Sequence, residues 1–135
     1  MQFGDVDAAI AKADHVFDDL FFFEGNTHLA LEQHASVALK DPDGKLVLYS
    51  STQTPHYLHR ALAKTLQMPA AHIRVVATPN GGGFGGKTVV YLEPLAVALS
   101  RKSGHPVKMT MSREEVFKGS GPTSGASMTI RIGVK

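Results

Sequence analysis

Residues 81–88 read GGGFGGKT, a stretch rich enough in glycine to let backbone amides approach an oxygen-rich ligand. It satisfies G-x-x-x-x-G-K-[ST], the P-loop pattern in which Lys87 would reach nucleotide phosphates. Gly81, Gly83 and Gly86 also satisfy G-x-G-x-x-G, the dinucleotide fingerprint. Five glycines in six positions meet such templates easily, so context must decide. The single aromatic, Phe84, points to a contact with something that the backbone approaches closely. His56 and His59 lie three apart on a helical stretch and have metal-ligand spacing, although a helix-surface pair is the plainer reading. His15, His28, His34, His72 and His105 share no ligand spacing. Cysteine is absent, which excludes disulfides, thiolate metal sites, a cysteine nucleophile and cysteine-ligated clusters on this chain.

Elements must position these residues. DVDAAIAKA, residues 5–13, predicts a short alanine-rich helix with acids in its first turn. HVFDDLFFFEG and HLALEQHASVALK carry short apolar, aromatic and β-branched runs and predict strands. Between ASVALK and KLVLYSS, Asp41-Pro42-Asp43-Gly44 presets a turn, which predicts a β-hairpin over about residues 35–51. Thr54-Pro55 opens a helix over 55–67, with Leu58, Ala61, Leu62, Thr65 and Leu66 at helical period. HIRVVATP predicts a strand that leads into the glycine stretch. EPLAVALSRKS, residues 93–103, predicts a second helix stopped by Gly104. VKMTMS and MTIRIGVK add strands around a flexible GSGPTSGAS segment. The class is α/β, a mixture of helix and sheet, in one domain over residues 1–135 with no internal repeat or linker.

This frame weakens both nucleotide readings. A Walker helix should begin at the GKT, yet TVVYL starts a helix poorly and Pro94 falls inside the second turn. No later strand ending in aspartate offers to hold Mg²⁺. A dinucleotide domain would place its first βα unit near its start, with an acid about 20 residues further on.

Bulk properties narrow the classes further. The 135 residues are 43% apolar and 19% charged, as in an ordinary globular domain. The 14 basic and 12 acidic residues are scattered, so the net charge of +2 gives no nucleic-acid surface. The start carries Asp5, Asp7 and Asp14 and lacks the apolar region of a signal peptide. No apolar run approaches the roughly 20 residues of a membrane span. A cytoplasmic protein is the expectation.

SSTQTPHYLHRALAKTLQMPAAHIRVVATPNGGGFGGK and PVKMTMSREEVF closely resemble the molybdenum hydroxylase family, which includes xanthine dehydrogenase and aldehyde oxidoreductase. STQTPHYLHRALAK looks most like the large, molybdopterin-binding subunit of 4-hydroxybenzoyl-CoA reductase, and HLALEQHASVAL resembles the family's preceding segment. The resemblance covers nearly the whole chain in collinear order. It implies a piece of the molybdopterin-binding region. Gln53 would hydrogen-bond the apical oxygen of the molybdenum centre. Phe84 and Gly85 would contact the cofactor, with Gly82 and Gly83 making room. Gln53 and the Phe84–Gly85 backbone would face one open cleft with space for the cofactor between them. Lys87 matches the family's GGK and carries no assigned chemistry. Arg113-Glu114-Glu115 resembles a family turn with structural pairing.

Two departures bear on substrate. Where the family has a polar, often acidic stretch after FGGK, Thr88-Val89-Val90-Tyr91-Leu92 is apolar and one residue short. Where the family has a basic loop after REEVF, KGSGPTSGAS puts a small residue near Thr123 in the arginine's place. Purine oxidation is therefore not implied. The family's catalytic glutamate and further cofactor contacts lie in later segments of much longer chains. This chain is then expected to be an excised fragment, a split subunit or a decayed relative, inactive alone. Its partners would be the remainder of the large subunit, a [2Fe–2S] subunit and often an FAD subunit, and the chain, with TVVYL exposed, is expected to self-associate. The alternatives are a P-loop nucleotide-binding domain and a non-catalytic interaction module.

Overall fold

The computed structural model describes residues 3–135. Where the sequence reads as one domain, the contacts of the chain form two compact units, one holding residues up to Asn26 with Ser124–Lys135 and the other Thr27–Thr123.

In the larger unit, the turn at residues 41–44 sets a hairpin. Asp41 Oδ1 accepts from the Lys45 N–H at 2.7 Å, and the Asp41 N–H donates to the Lys45 carbonyl at 2.9 Å. Strands Ala35–Lys40 and Leu46–Ser50 therefore pair antiparallel, with Ala38 opposite Leu48. A helix over Pro55–Thr65 then crosses back to a strand over Ile73–Ala77, which pairs parallel with Leu46–Ser50. This is the connection that parallel neighbours require. A short strand, Val107–Thr110, adds antiparallel to the far side of Ala35–Lys40.

Counting along the chain, the elements are α1 (Val6–Ala11), β1 (His15–Phe23), β2 (Ala35–Lys40), β3 (Leu46–Ser50), α2 (Pro55–Thr65), β4 (Ile73–Ala77), α3 (Glu93–Ser103), β5 (Val107–Thr110), α4 (Arg113–Gly119) and β6 (Ala126–Val134), with a 3₁₀ turn at Ala70–His72. The larger sheet has the order β4-β3-β2-β5. Alternation along β3 points Leu46 and Leu48 to one face, joined by Ala38 from β2. There they pack with Leu58 and Leu62 of α2, Ala96 and Val97 of α3, and Ile73. The buried Glu93 fastens the start of α3, accepting from the Ser50 hydroxyl and the Tyr91 N–H, both at 2.9 Å. The fold is mixed helix and sheet, as the periodicities indicate.

The smaller unit is an antiparallel ribbon of β1 and β6 with Phe17 opposite Ile132, Asp19 opposite Ile130 and Phe21 opposite Met128. Asp18 and Arg131, on the other face, pair at 3.2 Å. Asp5 caps α1, its carboxylate accepting from the Ala8 N–H at 3.0 Å.

Three expectations are corrected. Residues 28–34 are not strand, since Leu29 takes a positive φ of 43° and Glu32 bonds to the glycine loop. The REE segment opens α4 and is no turn, because Ser112 and Glu115 form a reciprocal capping box. TVVYL is not an exposed apolar strip: Leu92 is buried and Val90 packs against the core, leaving Val89 exposed.

Candidate functional site

The crossover through α2 brings the C-terminal ends of β3 and β4 to one edge, and hydrogen bonds keep the chains together beyond the strands. The Thr78 N–H donates to the Ser50 carbonyl at 3.0 Å, and Asn80 Nδ2 donates to the Thr52 carbonyl at 3.1 Å. Gln53 thereby meets the glycine loop. Its Oε1 accepts from the N–H groups of Gly85 and Lys87, both at 3.1 Å, and its own N–H donates to the Lys87 carbonyl at 3.0 Å. The expected gap between Gln53 and the Phe84–Gly85 backbone is thus replaced by direct contact. Gly83 makes that contact fit, since a Cβ there would lie 2.3 Å from the Gln53 amide carbon. Gly85, at φ 91°, turns the chain so that its amide meets Gln53.

This arrangement selects a chemistry. With its oxygen held by two amides, Gln53 has only its NH₂ left to offer, a neutral donor. The N–H groups of Gly82, Gly83 and Phe84 make no hydrogen bond to another described residue. Consecutive backbone donors of this kind suit an anionic or oxo ligand. Phe84 sits between the glycines at φ 53° with its ring 72% exposed, a strained conformation for a bulky residue.

Sequence reasoning left Lys87 without a role and did not single out Glu32. The structure joins them. The Lys87 side chain is 2% exposed and its ammonium donates to Glu32 Oε2 at 2.5 Å. The same carboxylate oxygen accepts from the Gly81 N–H at 3.0 Å, while the Glu32 N–H donates to the Gly81 carbonyl at 3.1 Å. Partial burial pushes the Glu32 carboxyl up. The hydrogen bonds from Lys87 and Gly81, with the Lys87 charge and His34 nearby, outweigh it and hold the group below its ordinary 4.5. The one visible signal was an acid inside the apolar run HLALEQH.

His34 Nε2 donates to the Gly86 carbonyl at 3.0 Å, and its ring meets Tyr91 edge-on at 4.9 Å. His56 and His59 do not act as a pair. His56 is exposed, whereas His59 Nε2 lies 3.0 and 3.1 Å from the carbonyls of Ala70 and Ile73. Arg113 donates to the Leu31 carbonyl at 2.8 Å, and Glu114 pairs with Lys118. The Walker reading is overturned: no helix begins at Lys87, and a buried, paired lysine is not available to a phosphate.

The two sequence departures meet in space, for the Tyr91 hydroxyl accepts from the Gly121 N–H at 3.2 Å. Tyr91 and Lys118 also line a cavity of about 610 Å³ with Leu95, Met109 and Met111.

A mixed sheet with a donor-rich glycine loop at the C-terminal edge of two parallel strands is the form of a domain that grips an oxygen-rich cofactor. The chain belongs to the molybdopterin cofactor-binding domain family, whose model matches residues 1–135. It is 37% identical over 115 residues to the nicotinate dehydrogenase large molybdopterin subunit of Eubacterium barkeri, covering 85% of this chain and 27% of that protein. Identity is also 37%, over 118 residues, to the xanthine dehydrogenase molybdenum-binding subunit of Escherichia coli O157:H7, covering 87% of this chain and 16% of that protein. A CO dehydrogenase structure from Oligotropha carboxidovorans superimposes with a TM-score of 0.72 and 31% identity, covering 96% of this chain and 16% of that one. The aldehyde oxidoreductase of Desulfovibrio gigas shares the fold at a TM-score of 0.74 and 24% identity, over 97% of this chain and 14% of that one. The chain therefore spans about a quarter or less of these relatives' length.

Proposed function

We propose that this chain is the part of a molybdenum-dependent oxidoreductase in which Gln53, Gly82, Gly83, Phe84 and Gly85 contact the molybdopterin cofactor. The observation that carries the reading is the donor set: the Gln53 NH₂ beside the N–H groups of Gly82, Gly83 and Phe84, which make no hydrogen bond to another described residue. These residues fit an oxo- and phosphate-bearing group and would repel nothing in it, because none of them carries charge. When bound, the cofactor supplies the redox chemistry. The chain's own part is to orient it, with Gln53 donating to an oxygen and the glycine backbone passing close beneath.

The whole enzyme would work with an iron–sulfur subunit and a flavin subunit, and its substrate would be an aromatic acyl-CoA, an N-heterocycle or an aldehyde. The likeness of STQTPHYLHRALAK to 4-hydroxybenzoyl-CoA reductase supports the first, and the nicotinate and aldehyde relatives support the others.

In the assembled enzyme, Gln53→Ala should lower turnover on the order of 100-fold, the usual effect of losing one positioned donor. Iron–sulfur content should stay the same. Turnover and cofactor occupancy at wild-type levels in this variant would remove Gln53 from the site.

A further inference from the structure

We infer that Glu32 and Lys87 are positioning residues, whose ion pair closes the glycine loop into a ring and thereby fixes the orientation of Gln53. The two residues are 55 apart in sequence and grip the loop at its opposite ends. Glu32 holds Gly81 at two points, through the carboxylate and through its own N–H. Lys87, just past the last glycine, is the common node. Its side chain reaches Glu32, its N–H donates to Gln53 Oε1, and its carbonyl accepts from the Gln53 N–H.

A loop of mostly glycine has large conformational freedom to lose on ordering. The pair removes much of that freedom before any ligand arrives, which is the usual gain from preorganisation. Glu32 is the only partner of the Lys87 ammonium among the described residues, and the lysine side chain is almost fully buried. If Glu32 were lost, the loop would have to open to hydrate that charge, since a stranded buried charge is more costly than a missing pair. Glu32 is itself 34% exposed, so the converse loss of Lys87 leaves a carboxylate that water can reach. The pair is thus asymmetric. Removal of Glu32 should disturb the loop more than removal of Lys87.

Amide hydrogen exchange on the 135-residue chain tests this. Glu32→Ala should speed exchange at Gly81, Gly85 and Lys87 about tenfold or more. The Leu48 amide in β3 should stay at its wild-type rate. Glu32→Gln, which keeps an acceptor of the same size, should restore most of the protection. Lys87→Met should give a smaller acceleration at the same amides, and it carries the test if Glu32→Ala does not fold. Wild-type exchange at Gly85 and Lys87 in these variants would overturn the inference. So would equal acceleration at Leu48, since the pair would then brace the whole unit and not the loop. The inference rests on the cofactor reading of this site, yet the measurement needs no cofactor. Unchanged exchange sinks the brace alone, and an indifferent Gln53→Ala sinks the cofactor reading alone.

Discussion

At the scale of single residues, the site is a matter of which polar groups are already taken. Gln53 spends its oxygen on Gly85 and Lys87 and keeps its NH₂, so a neutral side chain becomes a directed donor. Sequence comparison drew attention to Gln53 and the glycines, because their types and order are local. It gave no weight to Glu32 and Lys87, whose meeting is a tertiary event across 55 residues that no period or spacing encodes. Their pairing has a consequence in acid. The Glu32 carboxyl is held below its ordinary 4.5 in the folded chain. Folding therefore gains stability from this group above about pH 4.5, and that gain is lost as the pH falls through the lowered folded value. Partial exposure keeps the contribution modest. In thermal melts from pH 7 to 3, wild type should lose more Tm than Glu32→Gln over the acid end of the range. Parallel profiles would mean that the carboxylate is not held in this way.

At the scale of elements, legibility followed the locality of the signals. The 41–44 turn and the alternation beside it defined the β2–β3 hairpin, and Thr54-Pro55 defined the start of α2. Those two elements determined the parallel β3–β4 pair, and hence the edge at which Gln53 and the loop meet. Residues 28–34 misled because an apolar run with Leu29, Leu31 and histidines resembles strand, whereas its backbone bonds scatter, the Glu32 N–H to Gly81, the Leu31 carbonyl to Arg113 and the His34 carbonyl to the Met111 N–H. The REE segment carries a local signal of its own, since Ser112 and Glu115 form an S-x-x-E capping box. The Ser112 hydroxyl accepts from the Glu115 N–H at 3.2 Å, and the Glu115 carboxylate accepts from the Ser112 N–H at 2.7 Å. Those bonds also hold the exposed Glu115 carboxyl below its ordinary value. Ser112→Ala should cost about 1 kcal/mol in chemical unfolding of the larger unit. A loss near zero would show that α4 is held by the packing of Val116 and not by its cap.

At the scale of the molecule, the apolar surface lies elsewhere than TVVYL. In the β1–β6 ribbon, Phe17, Phe21 and Phe23 share one face with Met128, Ile130 and Ile132, interrupted by Asp19 opposite Ile130, and all of these residues are exposed. The opposite face is more polar and carries the Asp18–Arg131 pair. A two-stranded ribbon is marginal alone in water, and one with an uncovered aromatic face has a strong reason to find a cover. The chain spans about a quarter or less of its relatives' length. For the 135-residue chain in solution, the available cover is a second copy. Sedimentation should then show a concentration-dependent dimer or larger species. Phe21→Lys should shift it toward monomer, because it removes a central aromatic from the face and puts a strongly hydrated ammonium in its place. Val89→Lys, in the strip that the sequence had suggested, should change association little. If Val89→Lys dissociates the assembly and Phe21→Lys does not, the larger unit forms the contact and the ribbon face is not its driving surface.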